Sequence, residues 1–192
     1  MDTTTKERPI IFRGDGVLGI LEDRKTMTRR VIKPQPEFVW GFGVRNGEDK
    51  FSAHVRYPGG HQPDPWINCP YGKPGDRLWV RETFVSDGDY IGYRAERDPA
   101  NDNAWWTPAI FMPRWASRIN LEIVSVRVER IQSISEADAF AEGISGGDWL
   151  GDPVGEFKKL WNSINKKRGF GWETNCWVWV LEFRRIDNAK TD

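Results

Sequence analysis

Apolar positions along this chain recur with two different spacings, and the switches between them outline its elements. Ile10-Ile11-Phe12 reads as a short strand, Gly14-Asp15-Gly16 as a turn with Asp15 as N-cap, and Val17, Leu18 and Leu21 as one helical face. Residues 24–33 follow with five cations and no anion, until Pro34 and Pro36 stop regular structure. Residues 37–75 are rich in Gly, Pro and Asn and read as a long irregular excursion holding one hairpin. After the turn Pro70-Tyr-Gly-Lys-Pro-Gly-Asp76, residues 77–84 are strand-like, Leu78 and Val80 alternating with Trp79 and Arg81. Residues 82–104 are acidic, with Glu82, Asp87, Asp89, Glu96, Asp98 and Asp102 against Arg94 and Arg97, as in a solvated hairpin or loop. Residues 119–131 form a β-branched strand. Ser135 with Asp138 resembles a capping box that opens a short helix ending near Gly143. A Gly-rich loop over 144–153 precedes an amphipathic helix marked by Val154, Phe157, Leu160, Trp161 and Ile164, with Lys166-Lys167-Arg168 at its end. Residues 177–186 close the chain as an alternating strand expected in the interior of the sheet.

The strands lack the regular alternation with helices that a parallel α/β sheet needs. The expectation is an α+β fold: a small, mostly antiparallel β-barrel with flanking helices. It is read as a single domain, residues 1–192, with insertions at about 34–72 and 86–117. A chain of this length buries a core without disulfide or metal staples.

Composition narrows the function classes. Twenty-eight basic and 28 acidic side chains cancel, so charge-driven binding needs a local patch. The longest apolar run, residues 176–181, is far short of the roughly 20 residues that span a bilayer. The opening Met-Asp-Thr-Thr-Thr-Lys-Glu has no apolar secretory segment, and a cytoplasmic protein is expected. His54, His61, Cys69 and Cys176 match no zinc spacing, and Gly143, Gly146, Gly147 and Gly151 match neither the dinucleotide nor the P-loop pattern. No metal and no cofactor are expected. Eleven Trp are far above the usual share. Trp161, Trp177 and Trp179 sit on core-patterned elements, whereas Trp79, Trp115 and Trp149 lie where stacking on a base is open to them.

Residues Leu18 to Arg30 resemble the N-terminal signature of the ASCH family, a helix followed by Gly-x-Lys-x-x-Thr/Glu-x-Arg. Lys25, Thr28 and Arg30 match it, with Asp23 in place of the Gly, a residue that tolerates positive φ. Pro74-Gly-Asp76-Arg-Leu-Trp is similar to the family's Gly-Asp-plus-strand element. Ser135-Glu136, Asp138-Ala139 and Glu142-Gly143 resemble its Ser-Glu-x-Asp-Ala-x-x-Glu-Gly helix, and Leu181-Glu-Phe183 its closing strand. The long form, with Met-Pro-Arg-Trp-Ala-Ser-Arg118, is similar to hypothetical phage and prophage proteins. The resemblance implies a PUA-like barrel whose cleft binds RNA or a modified nucleoside. Some short members are amidohydrolases acting on N4-acylated cytidine through a Lys, a Thr and a Glu, which map here onto Lys25, Thr28 and Glu142. Other members are ribonucleases or plain RNA binders.

The residue chemistry admits this reading and a plainer one. Amide hydrolysis needs a nucleophile, a base and an acid for the leaving amine. Arg24, Arg29 and Arg30 around Lys25, with partial burial, lower its pKa. A helical turn over 25–28 would put Lys25 and Thr28 on one face. Lys25 then activates Thr28 or a water, Glu142 acts as general acid/base, and Arg30 holds a carbonyl oxygen or phosphate. The alternative is an ordinary Lys25–Glu142 salt bridge with Thr28 packed beside it. For nucleic acid or substrate, the binding candidates are Arg24, Arg29, Arg30, Trp79, Glu82, Arg114, Trp115 and Arg118. The segment 24–33, Arg114, Arg118 and Lys166-Lys167-Arg168 would form one basic face, or a solvated surface balanced by the acidic stretch.

Overall fold

The structure is a computed structural model that describes residues 5–45, 48–59, 63–97, 105–145 and 151–186. Among these residues ten strands and three α-helices succeed one another: β1 (Glu7–Ile11), α1 (Gly14–Leu21), β2 (Met27–Val31), β3 (Phe38–Val44), β4 (Phe51–Arg56), β5 (Trp66–Asn68), β6 (Arg77–Arg81), β7 (Phe84–Asp87), β8 (Tyr90–Tyr93), β9 (Asn120–Arg130), α2 (Glu136–Ala141), α3 (Pro153–Asn165) and β10 (Trp177–Ile186). The main sheet has the order β1-β6-β9-β10-β2 and is antiparallel except for the β1–β6 pair. The expected α+β class therefore stands, with β10 inside the sheet.

The strand β10 divides two cores. Trp179, Leu181 and Phe183 face one, with Ile10, Leu78, Val80 and Leu121 from neighbouring strands and Val17 and Ile20 from α1. Val178 and Val180 face the other, against Phe157 and Trp161 of α3. Burial on both sides explains the nearly unbroken apolar run Trp-Val-Trp-Val-Leu in this strand.

The backbone ladder does not close into a barrel among the described residues, because β1 and β2 remain sheet edges. A side chain spans the gap. The Arg30 guanidinium of β2 donates to the Ile11 carbonyl of β1 at 2.7 Å and lies over the Phe12 ring at 4.9 Å. Together β1, α1 and β2 form a clasp across the open side.

Four local expectations change. The helix α1 begins at Gly14 after Arg13, so Asp15 lies in its first turn rather than at its cap. The excursion 37–75 holds a three-stranded sheet, β3-β4-β5, rather than one hairpin. Phe51, Ala53 and Val55 of β4 enter the first core, while Gly41 and Gly43 in β3 mask its strand period. Residues 25–28 are not a helical turn: Lys25 makes an isolated antiparallel bridge with Glu142, and Thr28 is already in β2. Ser135 caps α2 by accepting from the Asp138 backbone N–H at 3.1 Å, but the Asp138 carboxylate turns to Arg29 and Arg127, so the box is half-formed. The acidic stretch does contain the β7–β8 hairpin. No helix among the described residues is long and apolar enough to cross a membrane.

Candidate active site

The strand period sorts the cationic segment onto two faces. Thr28 and Arg30 pair with Leu181 and Trp179 and share the face of the first core, while Arg29 pairs with Val180 and faces the second. A single basic face over 24–33 therefore does not form, because successive strand side chains point to opposite sides. Arg29 has no exposed side-chain surface and is committed to Glu129, to Asp138 at 2.6 Å and to Glu142 at 3.4 Å. It ties α2 to the sheet rather than reaching a ligand. Arg24 is exposed and bonds Glu22 and the Gly143 carbonyl.

Lys25 and Glu142 meet although 117 residues separate them. The ammonium donates to the Glu142 Oε2 at 2.7 Å and to its backbone carbonyl at 2.6 Å. Both side chains are buried, 7% and 5% exposed. Glycines shape this contact. A Cβ on Gly19 of α1 would lie 3.1 Å from the Lys25 Cβ, and one on Gly143 would lie equally close. Gly16, on the same face of α1, abuts Phe12 and the Lys25 Cε. The lysine stem thus runs through a sleeve where larger residues would displace it. Asp23 leads the chain out of α1 at φ 55, a left-handed conformation that Asp tolerates.

The electrostatics follow from burial. Desolvation pushes the Lys25 ammonium below the ordinary lysine value; Glu142 opposes this, and Arg30 and Arg29 add to it. Arg30 sits beside the pair, over the same Phe12 ring that Lys25 approaches at 5.8 Å. Its Nε is buried and has no hydrogen-bond partner among the described residues. Tyr71 stands near Arg30; burial raises its phenol above the usual range and the guanidinium opposes this. Tyr71 escaped the sequence reading, because the surrounding Pro and Gly signal only a turn. Lys25, Glu142, Arg30 and Tyr71 thus converge electrostatically, with Thr28 on the Arg30 face.

The remaining candidates form two other groups. Glu82 follows β6, is 2% exposed, and receives Arg118 at both carboxylate oxygens, at 2.9 and 3.0 Å. Burial raises its carboxyl above the usual value, Arg118 lowers it and Glu96 raises it. Arg118 also pairs with Glu96 and lies 3.9 Å from the Tyr93 ring centroid. On the opposite face of β6, Trp79 is buried, with the Arg81 and Arg114 guanidiniums over its ring at 4.7 and 5.8 Å. Those cations occupy the ring surface expected for stacking. Arg114 further bonds Glu7 and Asn120, whereas Trp115 is 66% exposed. Trp161 and Trp179 are core, and Trp177 is half-buried under Arg130 at 4.2 Å. Trp149 and His61 lie outside the described residues.

Cys69 and Cys176 are free and buried, and burial drives the Cys69 thiol up to about 11. His54 stacks on Trp66. No cluster of three or more His, Cys, Asp or Glu suited to a metal occurs among the described residues.

No family model matches the chain, and no curated protein is significantly similar to it. Among solved structures, a crystal structure of a protein from Enterococcus faecalis V583, described under the family DUF984, is similar over 98% of this chain and 84% of that one, at 12% identity and a TM-score of 0.44.

Proposed function

We propose that this chain is an ASCH-type protein that binds a modified pyrimidine nucleoside between α1, β2 and the end of α2, and hydrolyses its N4-acyl amide. The observation that carries the reading is the buried Lys25–Glu142 pair in its glycine sleeve, set beside an arginine whose Nε has no partner among the described residues. A lysine with lowered pKa gives up its proton readily enough to serve as a base. In the proposed reaction the Lys25 ammonium first passes its proton to Glu142 along the 2.7 Å contact, and the neutral amine then takes the proton of a water or of the Thr28 hydroxyl, which attacks the acyl carbonyl. Glu142 delivers its proton to the leaving amine as the C–N bond breaks; on the Thr28 route this leaves an acyl-threonine ester, which a water deprotonated by Lys25 hydrolyses in a second round, the Glu142 proton returning to Thr28. Arg30 Nε holds the carbonyl oxygen as it gains negative charge. With water consumed, the products are the carboxylic acid and the free cytosine amine. The test is turnover of N4-acetylcytidine by the wild type and Lys25→Ala, followed by chromatography. Loss in the variant supports the roles; equal, non-zero rates remove Lys25 from the mechanism.

One observation favours a second reading, a non-catalytic module for RNA or a modified base. Trp115 projects into solvent beside Arg114, and the neighbouring Arg81 has a buried Nε without a partner among the described residues. Tight binding of short RNA or acetylcytidine without turnover, weakening steeply with salt, would select this reading.

A further inference from the structure

The edge of the three-stranded sheet points to an interaction surface. Strand edges invite pairing with other chains, and proteins blunt them with charge, proline or shortness. Most edges here are blunted. The strand β1 carries Glu7, Arg8 and Pro9, β2 carries Arg29 and Arg30, and β5 has only three residues. The strand β3 is different. It lies at one edge of the order β3-β4-β5, has seven residues, Phe-Val-Trp-Gly-Phe-Gly-Val, and holds no charge and no proline. Phe38, Trp40, Phe42 and Val44 are 48%, 52%, 47% and 52% exposed.

The residues flanking β3 indicate what covers it. Glu37 precedes the strand and Arg45 follows it, both exposed. Antiparallel pairing of β3 with itself brings the acidic flank of one copy beside the basic flank of the other, twice, by symmetry. No like charges meet between them. A parallel pairing would instead set Glu37 against Glu37 and Arg45 against Arg45. Among the described residues Arg45 is held by an exposed bond to Glu48 and by the Trp66 ring, so its exchange to a partner is cheap. A buried aromatic removes about 150–250 Å² from water. Half-exposed rings at three positions and a valine at a fourth therefore offer at most roughly 350 Å² per copy, or roughly 700 Å² in all before backbone and Trp66 are counted, below the roughly 1,000 Å² of a stable interface, so the pairing is a weak, transient one.

We infer that a second copy of this chain pairs with β3 in an antiparallel, two-fold dimer that joins two three-stranded sheets into one of six. The occupant is this chain itself, and the pairing stands apart from any chemistry at Lys25. Sedimentation velocity of the full chain over a hundredfold concentration range is the test. The expected result is a reversible monomer–dimer equilibrium. Val44→Lys shifts it to monomer, and so does Arg45→Glu, which sets two acids against each other. Adding Glu37→Arg to Arg45→Glu restores the dimer, a rescue that misfolding would not produce. A chain that is monomeric at every concentration overturns the proposal. So do open-ended oligomers, a dimer indifferent to Val44→Lys, or a charge swap that fails to rescue while circular dichroism shows each variant folded.

Discussion

Breaking the Lys25–Glu142 pair from its two ends should give unequal losses. Glu142→Gln keeps the shape of the side chain and removes its charge. The ammonium then keeps the Glu142-position carbonyl at 2.6 Å but faces Arg29 and Arg30 without a counter-ion. Removing one partner of a buried pair costs about 3–5 kcal/mol. At about 2–4 °C per kcal/mol for a chain of this size, that lowers Tm by roughly 10 °C. Lys25→Met removes the cation instead, and the carboxylate retains Arg29 at 3.4 Å. The loss should then be nearer 1–3 kcal/mol, the range for a buried group that keeps only part of its hydrogen bonding. The double variant leaves neither charge stranded and should be more stable than the sum of the singles implies, by about 2 kcal/mol. Urea unfolding of the four proteins at constant slope measures all three quantities. Losses below about 1 kcal/mol from either end, adding without coupling, would refute a desolvated pair and place both groups in effectively aqueous surroundings. The pH dependence has a defined sign. A lysine lowered in the fold means that the unfolded chain binds more protons below 10.5, so this group's contribution to stability rises with pH across that window. The Glu142→Gln loss should therefore shrink at alkaline pH, where the stranded ammonium loses its proton.

Three further outcomes follow from the same geometry. Gly143→Ala places a Cβ 3.1 Å from the Lys25 Cβ at φ +89, whereas Gly169→Ala at φ +83 meets open space; chemical denaturation should find both destabilised and Gly143→Ala the worse by roughly 1 kcal/mol, and equal losses would show that the sleeve does not constrain Lys25. Turnover of acetylcytidine should rise with pH to a midpoint below the ordinary lysine value of 10.5, a midpoint belonging to the Lys25–Glu142 pair jointly; a profile flat to that value would remove the lysine as base. Glu82, raised in the fold, keeps its proton to higher pH than in the unfolded chain, so its contribution falls as pH climbs from 4.5 through the folded value. Stability of the wild type relative to Glu82→Gln should decline over that window, and parallel pH curves would contradict the burial of this carboxyl.

Periodicity revealed the elements that bury a continuous apolar face. The strand β10 was legible to the residue, since two covered faces produce a run no loop would carry. The Lys25–Glu142 contact was legible as the salt bridge of the plainer reading, and Asp23 as a residue able to take the positive φ it adopts. The strand β2 was less so. Cations on both faces hide its period, because Arg29 is neutralised by acids from β9 and α2 that no local window contains. Tertiary pairing overrode local pattern there. In β3 the glycines removed the polar markers that alternation relies on, and at Trp79 a sequence in isolation had no means of showing that two guanidiniums claim the ring.

The clasp between β1 and β2 bears on how a ligand reaches the site. A paired ladder yields only when several backbone bonds break together, which slows its opening. One guanidinium–carbonyl bond, Arg30 to Ile11, can exchange alone. The Arg30 contact with β1 is therefore easier to open than the ladders of β6, β9 and β10. Under the proposed function, a ligand that parted this contact and accepted from the Arg30 Nε, which has no partner among the described residues, would make admission and retention depend on one side chain.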